Sequence, residues 1–220
     1  RTKNVQNNIV AAPQLAEQGK QKIEWVKRNM PILQQIEDDF REQQYFKGLR
    51  VLVCIHLEAK TAYLAQIFAA GGAEVAVTGS NPHSTKDDVV AALAEDGLHV
   101  YARYGATPEE MREYMNRALD VRPNIMIDDG GDIAELLHTE RQELLPGVLG
   151  ACEETTTGVL RAKARAKAGV LEFPVVLIND ARCKYLFDNY HGTGQSVWDG
   201  VMRTTNLVVS GKTVVIIGYG

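Results

Sequence analysis

Arg50-Val51-Leu52-Val53-Cys54-Ile55, followed at once by His56-Leu57-Glu58, is the stretch on which the fold turns. Five consecutive apolar residues after Arg50 leave no polar face, as a parallel strand covered on both sides requires. A helical pattern follows over residues 59–70 and ends at Gly71-Gly72. An uninterrupted apolar strand, a polar turn and a helix form the first half of a βαβ unit.

The alternation repeats downstream. Further strand-like runs lie at 74–77, 99–104, 124–127 and 175–178, with helical stretches at 86–95, 108–119, 133–142 and 156–167. Alternating strands and helices predict an α/β fold, a parallel Rossmann-like sheet. Upstream, Leu15, Ile23, Val26 and Met30 recur at helical spacing, and Pro31 opens a second helix running to about Phe46. Two N-terminal helices therefore precede the sheet. Downstream, residues 199–206 read as a helix, and Lys212-Thr213-Val214-Val215-Ile216-Ile217 as a new strand running into Gly218-Tyr219-Gly220. That is half of a G-x-G-x-x-G dinucleotide fingerprint. By itself it is equally a tight glycine turn.

Composition bounds the partners. The 220 residues carry a net charge of −4, without the basic field a nucleic-acid surface needs. No apolar run spans a bilayer, and the first residues lack a signal peptide's apolar core. Cys54, Cys152 and Cys183 are odd in number and far apart, which points to packed, reduced thiols in a cytosolic protein and to no metal site. The ending on a glycine turn reads as a truncation.

In open parallel sheets ligands bind beyond the carboxyl ends of the strands. The residues just past each strand are therefore the candidate site. They include His56-Leu57-Glu58; Thr78, Asn81, His83 and Ser84-Thr85; Asp128-Asp129-Gly130-Gly131-Asp132; and Asn179-Asp180 with Lys184, Asp188 and Asn189. Glu153-Glu154-Thr155-Thr156-Thr157-Gly158 adds carboxylates and hydroxyls. Such convergence of polar groups suits a small-molecule site. The plainer readings are a strand-to-helix turn with Asp132 as N-cap, a helix cap within 153–157, and an i,i+4 ion pair between Lys184 and Asp188.

Taken together and in order, these motifs resemble the S-adenosylhomocysteine hydrolase family. The resemblance rests on Asp128-Asp129-Gly130-Gly131-Asp132, Leu144-Leu145-Pro146-Gly147, the block from Glu153 to Gly158, and Asn179-Asp180 with Lys184 and Phe187-Asp188-Asn189. Leu15-Ala16-Glu17 with Gly19, Met30-Pro31, Ser84-Thr85 with Asp87, and Gly211-Lys212 leading to Gly218-Tyr219-Gly220 extend it over nearly the whole chain after Val10.

The resemblance implies an enzyme with bound NAD that acts on S-adenosylhomocysteine and yields adenosine and homocysteine. In that reaction NAD oxidises the ribose 3′-hydroxyl, the ketone acidifies the C4′ hydrogen, the thiol leaves, water adds, and the ketone is reduced again. It implies that Lys184 and Asp188 handle the 3′-hydroxyl proton, while Asp129 and His56 serve proton transfer at C4′ and C5′. Glu58, Lys60, Thr61 and Glu154 would face substrate, and Thr155, Thr156, Thr157, Asn189, Gly218 and Gly220 the cofactor. The implied division is a substrate domain over 1–179, a hinge over 180–194 and the start of a Rossmann NAD domain over 195–220. A cytoplasmic homotetramer is implied for the complete protein, and inactivity for these 220 residues alone. Glu58 and Lys60 stand where many relatives carry Thr and Glu or Gln. Lys86, His191 and Thr193 replace Gln, Tyr and Cys. A Lys offers only donors, so S-inosylhomocysteine is an alternative substrate. A nucleoside-binding relative without catalysis and an unrelated NAD dehydrogenase are the competing readings.

Overall fold

The computed structural model describes residues 8–218. Their contacts divide the chain into two compact units, residues 1–177 and 178–220. The first is an α/β layer structure around a seven-stranded, all-parallel sheet. Its strands are β1 (Ile9–Val10), β2 (Arg50–Ile55), β3 (Glu74–Gly79), β4 (His99–Ala102), β5 (Ile125–Asp128), β6 (Gly150–Glu153) and β7 (Val175–Leu177). Spatial order is β1-β4-β3-β2-β5-β6-β7. Without the short edge strand β1, this is the 3-2-1-4-5-6 order of a dinucleotide-type fold, and its order reverses between β2 and β5.

The strand whose pattern decides the fold alternates its side chains between two cores. Val51 and Val53 pack with α1 (Ala16–Arg28), α3 (Ala59–Ala70) and α4 (Asp87–Glu95). Leu52 and Cys54 pack on the other face with α5 (Pro108–Leu119) and α6 (Asp132–Thr139). This period of two explains why the run carries no polar residue. Each fully buried Leu or Val contributes about 1.5–3 kcal/mol relative to exposure. Leu52, Val51 and Val53 are completely buried. α2 (Pro31–Gln43) packs on the outside of α1 and α3. There the buried Glu37 accepts from the Tyr63 hydroxyl at 2.8 Å and pairs with Lys27 and Arg41.

Three sequence expectations are corrected. β1 and β6 are additional strands. The first is two residues long, and the second, Gly150-Ala151-Cys152-Glu153, lies in a stretch to which the sequence pattern assigns no element. Residues 212–217 do not form a strand. They make no ladder, and Val215, Ile216 and Ile217 are exposed. β-propensity without a neighbouring strand does not make a sheet. Finally, Cys183 is exposed, whereas Cys54 is buried and Cys152 half-buried.

The second unit holds a π-helical segment, Lys184–Gly192, continuing into α8 (Thr193–Thr205). The helix thus begins six residues before the expected 199. No helix among the described residues is long and apolar enough to cross a membrane.

Candidate active site at the strand switch point

The order reversal places the ends of β2 and β5 side by side, with Cys54 in register with Asp128. The residues that follow, His56 and Asp129, meet there: His56 Nε2 lies 3.4 Å from Asp129 Oδ2. Ser80, just past β3, donates its hydroxyl to the same Oδ2 at 2.7 Å. Asp129 is 7% exposed. The ring is held from its other side, with Nδ1 2.6 Å from Ser84 Oγ. Ser84 gives its proton to the Asn81 carbonyl at 3.1 Å. A hydroxyl has one hydrogen, so Nδ1–H is the donor to Ser84, and Nε2 is the nitrogen that faces Asp129. An imidazole nitrogen beside a carboxylate oxygen is an arrangement able to pass a proton. The Thr61 hydroxyl fixes the loop by donating to the His56 carbonyl.

Asp128 is the support beneath. It is 2% exposed, and its two oxygens accept from the Asp129 and Ala134 backbone N–H groups, each at 3.0 Å. Burial pushes its carboxyl up to about 7, against the lowering effect of those two donors. The N-cap position of α6 is Gly131 at φ +77°, not Asp132, and Asp128 supplies the side-chain acceptor from outside the helix. Gly130 at φ +98° precedes it. Both positions need the left-handed region that glycine enters without strain.

Glu153, 3% exposed, ties the neighbouring loop to this one. Its Oε1 accepts from Gly130 N at 2.9 Å, Thr155 N at 3.0 Å and Thr155 Oγ1 at 2.9 Å. Thr155 also caps α7 (Thr156–Ala168), accepting from Gly158 N at 3.0 Å. The capping reading of that block thus holds for Thr155. Arg161, one turn into α7, donates to the Gly130 carbonyl at 2.7 Å and to Asp132 at 2.9 Å. The result is a cavity of about 330 Å³ whose walls include His56, Asp129, Asn81, Thr155 and Thr157. Its size suits a nucleoside-sized ligand.

The other expected residues fall as follows. Glu58 is the N-cap of α3, with Oε1 accepting from Lys60 N at 3.0 Å and Thr61 N at 3.3 Å. Lys60 is exposed on the first turn. Glu154 is half-buried, and its backbone N–H donates to the Asp128 carbonyl at 3.0 Å. Thr156 and Thr157 are exposed at the start of α7. Within the second unit, Lys184 Nζ donates to Asn179 Oδ1 at 2.8 Å, and Asp188 and Asn189 are exposed. Gly192 lacks the Cβ that would lie 2.7 Å from Asp188 Oδ1. Gly218 is described, at φ +98°, and Gly220 lies outside the described residues.

Ser80, Asp128, Glu153 and Arg161 carry structural bonds at the site that sequence reasoning did not assign. Ser80 was findable, because it follows β3 as His56 follows β2. Arg161 was not, because nothing in a helix interior marks which arginine turns back to a strand tip.

The S-adenosyl-L-homocysteine hydrolase family profile matches residues 7–146 and 138–214. Adenosylhomocysteinase of Pyrococcus abyssi is 58% identical over 206 residues, covering 94% of this chain and 49% of its own length. S-inosyl-L-homocysteine hydrolase of Methanocaldococcus jannaschii is 55% identical over 206 residues, with 94% and 50% covered. The protein of the same name from Methanosarcina mazei is 52% identical over 208 residues, with 94% and 51% covered. The chain spans about half the length of these curated relatives. With a profile match running through nearly all its residues, the chain belongs to the S-adenosyl-L-homocysteine hydrolase family.

Proposed function

We propose that the complete protein hydrolyses S-adenosyl-L-homocysteine reversibly to adenosine and L-homocysteine, using bound NAD. The observation that carries this reading is the proton-transfer pair His56–Asp129, 3.4 Å apart at the switch point of a chain of this family. NAD would supply hydride acceptance and return at the ribose 3′-carbon. The first turn of α7, with Thr155, Thr156 and Thr157 around a helix N-terminus, fits the donors a dinucleotide needs.

In this reading Lys184 and Asp188 hold and move the 3′-hydroxyl proton. Lys184 reaches its position through Asn179. Asp129 takes the C4′ proton that the neighbouring ketone acidifies, and the hydrogen bond from the Ser80 hydroxyl holds its Oδ2 in place. His56 delivers a proton to the departing thiol and takes one from the water that adds, since only its Nε2 is open to the site. Glu154 orients the ribose hydroxyls, because a carboxylate accepts from both. Residues 1–179 serve as substrate domain, 180–194 as hinge and 195–220 as the beginning of the NAD domain, in a cytoplasmic homotetramer.

A second reading, S-inosyl-L-homocysteine hydrolysis, is favoured by one observation. Glu58 spends an oxygen on the α3 cap, and Lys60, exposed on the first turn of that helix, offers a base only donors. Adenine presents a donor at its exocyclic position and hypoxanthine an acceptor. The test is kcat/KM for both substrates in the complete protein and in Lys60→Gln. If Lys60 reads the base, the substitution moves the ratio toward the adenosyl substrate by roughly tenfold. An unchanged ratio with strong adenosyl preference leaves the first reading alone standing.

A further inference from the structure

Asp128 and Glu153 are both buried, and neither takes part in the proton transfers assigned above. They end the neighbouring parallel strands β5 and β6, in register with each other. Residues in register on adjacent strands lie on one face of the sheet, about 4.8 Å apart. Both carboxyls turn toward the helices on that face: Asp128 accepts from Ala134 N of α6, and Glu153 packs against Gly158 of α7. A void of about 20 Å³ lies beside them, walled also by Gly131, Arg161 and Arg165, with room for one water molecule. The charges around the pair do not balance. Asp129 and Asp132 stand on the same loop and Glu135 on α6, against Arg161 and Arg165 of α7. Both guanidiniums are already engaged by Asp132 and Glu135. From β2 comes the Cys54 thiol, in register with Asp128, and burial and then the Asp128 charge push that thiol well above its ordinary range. Hydrogen bonding distinguishes the two acids. Glu153 Oε1 takes three donors, which suits an acceptor-only carboxylate. Each Asp128 oxygen takes one N–H and keeps a second lone-pair position.

We propose that Asp128 and Glu153 hold one proton between them, carried on Asp128, and that this pair positions the loops after β5 and β6. Asp128 fixes the N–H groups of Asp129 and Ala134, and Glu153 fixes those of Gly130 and Thr155. With one proton, the two acids attract through a charge-assisted O–H···O⁻ bond, direct or across the single water. With none, two like charges at strand spacing push the two loops apart. The proton comes from solvent and returns to it. Neither acid is among the walls of the cavity at His56 and Asp129, so both are positioning residues. Burial first, and then the Glu153 charge, push the Asp128 carboxyl up to about 7, the direction that sharing requires.

The experiment is infrared spectroscopy of the complete protein across pH, with turnover measured alongside. The C=O stretch of a carboxylic acid is separate from the carboxylate bands. An acid band that titrates at about 7 is expected in the unmodified protein and is absent from Asp128→Asn. In Glu153→Gln the amide gives the pair a permanent hydrogen, and the like charge is gone. Asp128 should then release its proton at a pH lower by roughly one to two units. The same variant should keep most of the turnover. Glu153→Ala leaves three donors without their acceptor and should lose at least about tenfold. An acid band that titrates at the same pH in Glu153→Gln means that the proton belongs to Asp128 alone, and overturns the proposal. So does the lack of any acid band that Asp128→Asn removes, or a Glu153→Gln enzyme as slow as Glu153→Ala. The turnover arm rests on the function proposed above, and the infrared arm does not. A protein with the shifting band but no hydrolase activity would sink that function and leave the shared proton standing.

Discussion

Asp128 and Asp129 are adjacent in sequence, yet the fold gives them different work. Asp129 sits at the cavity wall with His56 and Ser80, while Asp128 points back into the protein and ends two backbone donors. The expected outcome of Asp129→Asn in the complete protein is a folded enzyme that binds nucleoside and loses at least about a hundredfold in turnover, the scale of general acid–base catalysis. Near-normal turnover would remove it from proton transfer. Asp128 makes a prediction about stability. Its carboxyl titrates at about 7 in the fold, pushed up by burial, and near 4 when unfolded. Between those values the folded state keeps a proton that the unfolded state has lost. Its favourable contribution is therefore complete below about pH 4 and is lost as pH rises through about 7. Asp128→Asn has no such proton. Denaturant midpoints of the two proteins, measured from pH 4 to 8, should diverge against the parent as pH rises, by up to roughly 1.4 kcal/mol per unit. Parallel profiles would show that Asp128 is ionised in the fold throughout.

At the scale of elements, α7 is anchored to the sheet by an approach that only glycine allows. A Cβ on Gly158 would lie 2.0 Å from Glu153 Cδ. Gly158→Ala must displace a buried carboxylate that holds Gly130 and Thr155. The expected cost is about 1–3 kcal/mol, with loss of activity in the complete protein, read by denaturation and by turnover. A wild-type midpoint would mean that Glu153 has another place to go. Elements also mark how far the sequence could be read. β2 was legible because both its faces are buried, and α3 because Gly71-Gly72 closes it, whereas the capping box of Thr107 with Glu110 that opens α5 emerges only in the structure. β6 was not. Four residues beginning with glycine and ending in a carboxylate have no strand pattern, and their pairing with β5 and β7 comes from the sheet. Residues 212–217 show the opposite failure. Their local pattern is that of a buried strand, and a ladder is a property of two strands.

For the whole molecule, the rule that ligands gather at the switch point puts His56, Asp129 and the block from Glu153 to Thr157 forward from sequence, and the fold brings them together because topology converts strand ends into neighbours. It could not supply the bonds that lock those residues, which depend on side-chain direction. Lys184, Asp188 and Asn189, which the same rule puts forward beyond the last strand-like run, belong to the second unit. The two units differ in what stabilises them. Both apolar clusters, one on each face of the sheet, are built among the described residues from positions no later than Val175. In the second unit Asn179 is buried, and Val208, Val215, Ile216 and Ile217 are exposed. Stability should therefore reside in the first unit. A polypeptide of residues 1–177 is expected to unfold in one cooperative step, at a denaturant midpoint close to that of residues 1–220 and with a similar slope, since the slope follows the surface exposed on unfolding. The longer polypeptide carries the exposed apolar run and should self-associate as concentration rises, which sedimentation of the two would compare. A lower midpoint for 1–177 would mean that residues 178–220 stabilise the sheet domain, and the division of labour between the units would have to be redrawn.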